Sequence, residues 1–214
     1  MDGRGERAGV RGRFITFEGG EGVGKSTQLR RLKEGLEGRG HGVVATREPG
    51  GTPGAEAIRR LAVEGESERW DPLAELFLML ASRQEHLHRL IRPALDEGRT
   101  VLCDRFFDSS RVYQGLAGGL GLDLVDRLHE PVLRGLRPDL TLLLDLPPEV
   151  GLRRAGPGRF EAKGRDFHER VRAGFLRLCT NEPDRFALID GTDEPDAVAA
   201  AIWAAVAERL GIDA

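Results

Sequence analysis

Residues 14–27 read FITFEGGEGVGKST, an apolar run of strand length that passes directly into a glycine-rich segment ending in Gly-Lys-Ser-Thr. Gly19, Gly24, Lys25 and Ser26 meet the spacing G-x-x-x-x-G-K-[ST] that cradles nucleotide phosphates. Glycine lets backbone N–H groups curl toward an anion without obstruction by a Cβ, and the helix that follows points its positive end at the phosphates. Lys25 reaches the β and γ groups, and the Ser26 hydroxyl can hold Mg2+. The candidate ATP-binding stretch is therefore Gly19, Gly20, Glu21, Gly22, Val23, Gly24, Lys25, Ser26 and Thr27. Lysine is rare in this chain, occurring only at 25, 33 and 163, and one of these stands where a slim ammonium is needed instead of a planar guanidinium.

Outward from this loop, short apolar runs alternate with segments of helical period, the signature of a parallel sheet covered by helices. The runs predict strands at 14–18, 42–46, 100–104, 140–145 and 186–190, most of them apolar throughout, as in a sheet covered on both faces. Leu29, Leu32 and Leu36 mark a helix after the loop; apolar residues from Leu73 to Ile91 mark one long helix entered through Pro72; Val198, Ile202, Val206 and Leu210 mark a helix after Pro195. The fold class expected is α/β, a P-loop NTPase three-layer fold with a five-stranded parallel sheet, spanning 13–214 after a loose basic arm at 1–12. Residues 155–164, AGPGRFEAKG, read as a mobile surface loop, the centre of a short lid at about 153–165.

Composition excludes several classes. Lys+Arg 32 against Asp+Glu 35 gives a net charge of −3, which argues against a nucleic-acid footprint. The longest apolar run, 197–207, is too short for the ~20 residues that span a bilayer, so no membrane partner is expected, and the N-terminal residues lack the apolar core of a signal peptide. Cys103 and Cys179 form no CxxC pair, which fits a cytoplasmic protein. A GTPase switch would need an N-K-x-D motif, yet the only Asn is Asn181, in NEPD. An ATP-driven motor usually follows its second motif strand with Asp and then Glu, whereas TVLCD is followed by Arg105, a charge that suits a phosphate-bearing acceptor better than a water nucleophile. Arg47, just past a strand end in TREPGG, could converge with Arg105 on a monophosphate dianion.

FEGGEGVGKSTQ, TREPGGT at 46–52, DRFFDSSRVYQG at 104–115, RPDLTLLLDLPPEVGLRR at 137–154 and RFEAKGRDFHERVR at 159–172 together resemble the thymidylate kinases over nearly the whole chain. The resemblance implies transfer of the γ-phosphoryl of ATP, with Mg2+, to dTMP, and a homodimer. It implies that Arg47 and Arg105 hold the acceptor phosphate. Glu21 would face the sugar's 3′-hydroxyl, the other reading being a solvent-exposed loop acid. Asp104 would sit near Mg2+, or alternatively only orient Arg105. Arg83, Ser109, Tyr113 and Gln114 would form the thymine pocket. Two departures stand out. Met79 occupies the position where the family normally stacks a Phe on the base, and Gly22 stands where some members carry a basic residue. The charge on the transferred group then falls to the lid, to Arg154 or Arg159. The alternatives are a kinase for another nucleoside monophosphate or a deoxynucleoside, and a nucleotide-binding regulator without turnover.

Overall fold

The structure, a computed structural model, describes residues 11–66 and 68–212. Five strands, β1 (Phe14–Glu18), β2 (Val43–Arg47), β3 (Thr100–Asp104), β4 (Leu140–Asp145) and β5 (Phe186–Asp190), form one sheet in the order β2–β3–β1–β4–β5, with every pairing parallel. β1, β3 and β4 are buried along nearly all their length, whereas β2 and β5, at the edges, are partly exposed. β2 begins and ends one residue later than its apolar pattern predicts, because Arg47 continues the ladder opposite Asp104.

Alternate residues of the strands feed cores on opposite faces. On one face, Ile15, Phe17, Leu102, Leu142 and Leu144 meet Leu29, Leu32 and Leu36 of α1 (Lys25–Gly38) and Val198, Ile202 and Val206 of α9 (Pro195–Leu210). On the other, Phe14, Val101 and Cys103 pack against Leu87, Ile91, Leu95, Phe106 and Phe107. The long helix expected from Leu73 to Ile91 is interrupted. α3 (Pro72–His86) widens into a π-helical turn at Leu87–Ile91, in which Arg92 N–H donates to Leu87 O, before α4 (Arg92–Asp96) completes it. Pro93 supplies the reason, since it lacks the N–H that an ordinary turn would use there.

The remaining helices are α2 (Pro53–Val63), α5 (Phe107–Ser110), α6 (Leu122–Leu133), α7 (Pro148–Arg154) and α8 (Arg165–Asn181), with a second π-helical turn at Arg111–Ala117. Residues 1–10 of the expected arm lie outside the described residues; its last residue, Gly12, is buried and donates to Leu95 O at 2.8 Å, so the packed body begins before residue 13. The connection after β1 leads away past β3 to β2, whereas the one after β3 leads to β4 on the other side. The gap beyond the carboxyl ends of β1 and β3 is thus a topological switch point, where open α/β sheets bind ligands.

Candidate active site

A cavity of about 710 Å3 opens at this switch point, lined by the loop at 21–27 on one side and by Arg47, Met79, Arg83, Arg105, Tyr113 and Gln114 on the other. The loop leaves β1 as the sequence predicts, and Lys25 folds back onto the carbonyls of Gly19 (3.2 Å) and Gly20 (2.7 Å). Burial, together with the nearby Arg105, lowers the Lys25 ammonium to a pKa of about 8, against the pull of Asp104 and Glu21. Ser26 Oγ donates to Asp104 Oδ2 at 2.9 Å. A hydroxyl and a carboxylate so placed at the phosphate loop are hard oxygen donors that fit Mg2+, which keeps several waters and is held by one or two protein oxygens beside phosphates.

Gly22 has φ +65°, and a Cβ there would strike the carbonyl of Gly151, while a Cβ on Gly151 would strike the carbonyl of Glu21. The loop and α7 are therefore in backbone contact. No basic side chain fits at 22, which gives the departure noted in the sequence a steric cause.

Arg105 joins the two walls. Its φ of 68° is left-handed, at a cost of roughly 1–2 kcal/mol for a residue with a Cβ. That turn sends the guanidinium back over the loop, where it donates to Gly19 O at 3.0 Å and Ser109 Oγ at 3.2 Å and pairs with Glu21 at 2.6 Å. Tyr113 donates to the other Glu21 oxygen at 2.6 Å. Burial alone would raise the Glu21 carboxyl; Arg105, Lys25 and the Tyr113 hydroxyl outweigh it and hold the pKa at about 2. Glu21 is consequently no solvent-exposed loop acid.

Behind Arg105 lies a residue the sequence reading missed. Glu18, the last residue of β1, is fully buried and accepts from Phe106 N, Ser109 N and Ser109 Oγ at 2.8, 3.2 and 2.7 Å. Burial and the neighbouring Asp108 raise it to about 7. Ser109, expected in the base pocket, lines the cavity and also ties Glu18 to Arg105. The one available signal was a carboxylate closing an otherwise apolar, buried strand.

Arg83 is buried and almost fully engaged: Nε donates to Glu48 at 2.7 Å, Nη1 to Ser110 and His129 at 3.1 and 2.6 Å, and Nη2 to Phe106 O at 2.9 Å. His129 Nδ1 faces the Val125 carbonyl, so its Nε2 is the acceptor, and burial beside Arg83 lowers the ring's pKa to about 3. Four of the five guanidinium N–H groups are held, one on Nη2 is left over, and Arg83 lines the cavity. Glu48 also takes His86 Nδ1 at 3.0 Å, which places His86 in this buried network.

Two expectations change. Arg47 lines the same cavity as Arg105 but is half exposed and paired with Glu56 at 3.0 and 3.1 Å; Arg59, which the sequence did not single out, lines the cavity nearby, donates to Pro49 O at 2.7 Å, and is lowered in pKa by burial and by Arg47. The lid is not wholly a surface loop. Arg154 is exposed at the end of α7 and lines the cavity, but Arg159 is buried, donating to Glu66 O and Ala62 O at 3.1 and 3.2 Å and pairing with Glu75 at 2.5 Å. Phe160 packs edge-on against Tyr113, centroids 5.7 Å apart. Asp145, the last residue of β4, takes Arg172 of α8 on both oxygens at 2.8 and 2.7 Å.

Residues 17–202 match the thymidylate kinase family model. The chain belongs to the thymidylate kinase family. It is 56% identical to the thymidylate kinase of Caulobacter vibrioides over 95% of this chain and all of that protein, and 52% identical to that of Ruegeria pomeroyi over 93% and 96%. The crystal structure of thymidylate kinase from Ehrlichia chaffeensis superposes with a TM-score of 0.75 at 32% identity, covering 92% of this chain and 99% of that one. Among the described residues, no helix is long and apolar enough to cross a membrane.

Proposed function

We propose the following division of labour for the family's reaction, ATP-dependent phosphorylation of dTMP to dTDP. The loop from Gly19 to Thr27 holds the ATP phosphates, with Lys25 swinging off its own carbonyls onto them and the N–H groups of α1 behind. Ser26 and Asp104 hold Mg2+, which when bound shields charge on the β and γ groups. The acceptor phosphate lies against Arg105, with Arg47 and Arg59 at its outer side. Glu21, fixed by Arg105 and Tyr113, faces the sugar. Arg83 and Gln114 meet the pyrimidine edge, and Met79, nearly buried yet lining the cavity, contacts the ring face through its polarizable sulfur.

Phosphoryl transfer asks the protein for positioning and charge stabilisation more than covalent chemistry. Arg154 supplies the cation that Gly22 denies to the loop. Phe77, 52% exposed on α3, supports assembly as a homodimer, and the chain works in the cytoplasm.

Arg105 carries this reading, because one side chain bonds both the phosphate loop and the acid facing the acceptor. The test is ADP release with ATP and Mg2+ against a panel of acceptors: dTMP active, UMP poor, thymidine inert. Thymidine outperforming dTMP overturns the acceptor assignment.

A further inference from the structure

Glu75 lies behind the cavity wall, buried on α3, and its two carboxylate oxygens face different partners. Oε1 accepts from Gln114 Nε2 at 2.7 Å, and Oε2 pairs with lid Arg159 at 2.5 Å. A carboxylate can only accept, so the Gln114 amide nitrogen must face Glu75, and Oε1 is the atom left for the cavity that Gln114 lines. The spare N–H of Arg83 is a donor on the same wall. Thymine and uracil offer a ring N3–H and an O4 acceptor; cytosine offers the reverse, an unprotonated N3 and an amino group.

We propose that Glu75 is a positioning residue for pyrimidine specificity: by fixing Gln114 as an acceptor, and being held in turn by Arg159, it makes the pocket accept thymine and reject cytosine. This rests on the assignment of Arg83 and Gln114 to the base. It also ties the buried lid arginine to the wall that carries Gln114.

Glu75→Gln provides a directed test. Arg159 is donor-only and demands the new oxygen; the new amide nitrogen then faces Gln114, which must turn its own oxygen inward and present N–H groups to the base. The KM for dTMP should rise about tenfold or more with kcat within about threefold, while the ratio of kcat/KM for dTMP over dCMP falls by at least roughly tenfold, since mispaired polar edges are penalised strongly. KM for ATP should hold.

Should Glu75→Gln fail to fold, the Glu75→Met/Arg159→Met double variant removes both buried charges together and leaves Gln114 free to turn, so the ratio must fall there too. Gln114→Met separates the two levels of the argument. If Gln114→Met lowers the ratio but the Glu75 variants leave it within twofold of the parent, the positioning role is overturned and the base-pocket assignment stands. If Gln114→Met also leaves the ratio and the KM for dTMP unchanged, the base-pocket assignment falls and the inference with it.

Discussion

The two walls of the cavity are built on opposite plans. The donor wall is one continuous stretch of chain, and its key cation rests on the loop's own carbonyls, so it must rearrange to meet a phosphate. The acceptor wall gathers Arg47, Arg83, Arg105 and Gln114 from separate segments, and before any ligand arrives most of their polar atoms already have partners. A loop that need only embrace a flexible triphosphate tolerates slack. A wall that must choose one pyrimidine over another does better preorganised, because ordering costs are met in folding and not in binding.

The sharpest way to break this contrast is Lys25→Ala, which should lower kcat/KM by on the order of 100-fold or more by removing charge stabilisation in a closed site. Steady-state kinetics with intact turnover would refute the donor wall as drawn. Next, Arg154→Ala should lower kcat by roughly 100-fold with smaller effects on either KM, the mark of an interaction strongest in the transition state, and Lys at 154 should rescue only partly. A kcat within about twofold of the parent would show that the lid supplies no catalytic charge.

Arg59→Ala should raise the KM for dTMP by about tenfold and leave that for ATP alone, as loss of one charge-assisted contact to a phosphate predicts. A subtler effect is protonic. Burial lowers the Lys25 ammonium to about 8 in the free protein, and an anion bound beside it raises its pKa again, so binding of ATP already saturated with Mg2+ takes up protons at pH 8 and fewer at lower pH. Calorimetry in buffers of differing ionisation enthalpy reads this directly, and Lys25→Ala should abolish it. Smallest is Met79→Phe, which should preserve or modestly tighten dTMP binding, since an aromatic face stacks at least as well as a thioether; lost dTMP affinity with intact fold and ATP binding would remove Met79 from the ring face.

The same contrast explains what the sequence made legible. The P-loop is a local device whose spacing is its geometry, so Gly19 through Thr27 could be placed by inspection, as could β1, β3, β4 and β5, whose apolar runs are the sheet's interior. Glu18 and Glu75 escaped because each is an acid within a buried element whose partners lie far along the chain, and no periodicity announces such a pair. Arg159 was misplaced for a related reason. Its loop is poor in apolar residues and so reads as solvated, but the side chain is buried by hydrogen bonds to carbonyls and by Glu75, more than eighty residues earlier. Arg47 kept its place at a strand end, yet Glu56, nine residues on, was free to claim it.

The interlock of Gly22 with Gly151 has a mechanical consequence. A flap seated on the phosphate loop at Gly151 and bolted at Arg159 has its freedom concentrated in residues 155–158, of which two are glycine and one is proline. Arg154 sits on the loop side of that hinge. A backbone shift in the loop bears directly on α7 through this contact, which couples Arg154 to the phosphate loop, while Arg159 is tied through Glu75 to the wall that carries Gln114. The short lid is thus a strap between the two walls of the cavity, anchored to each.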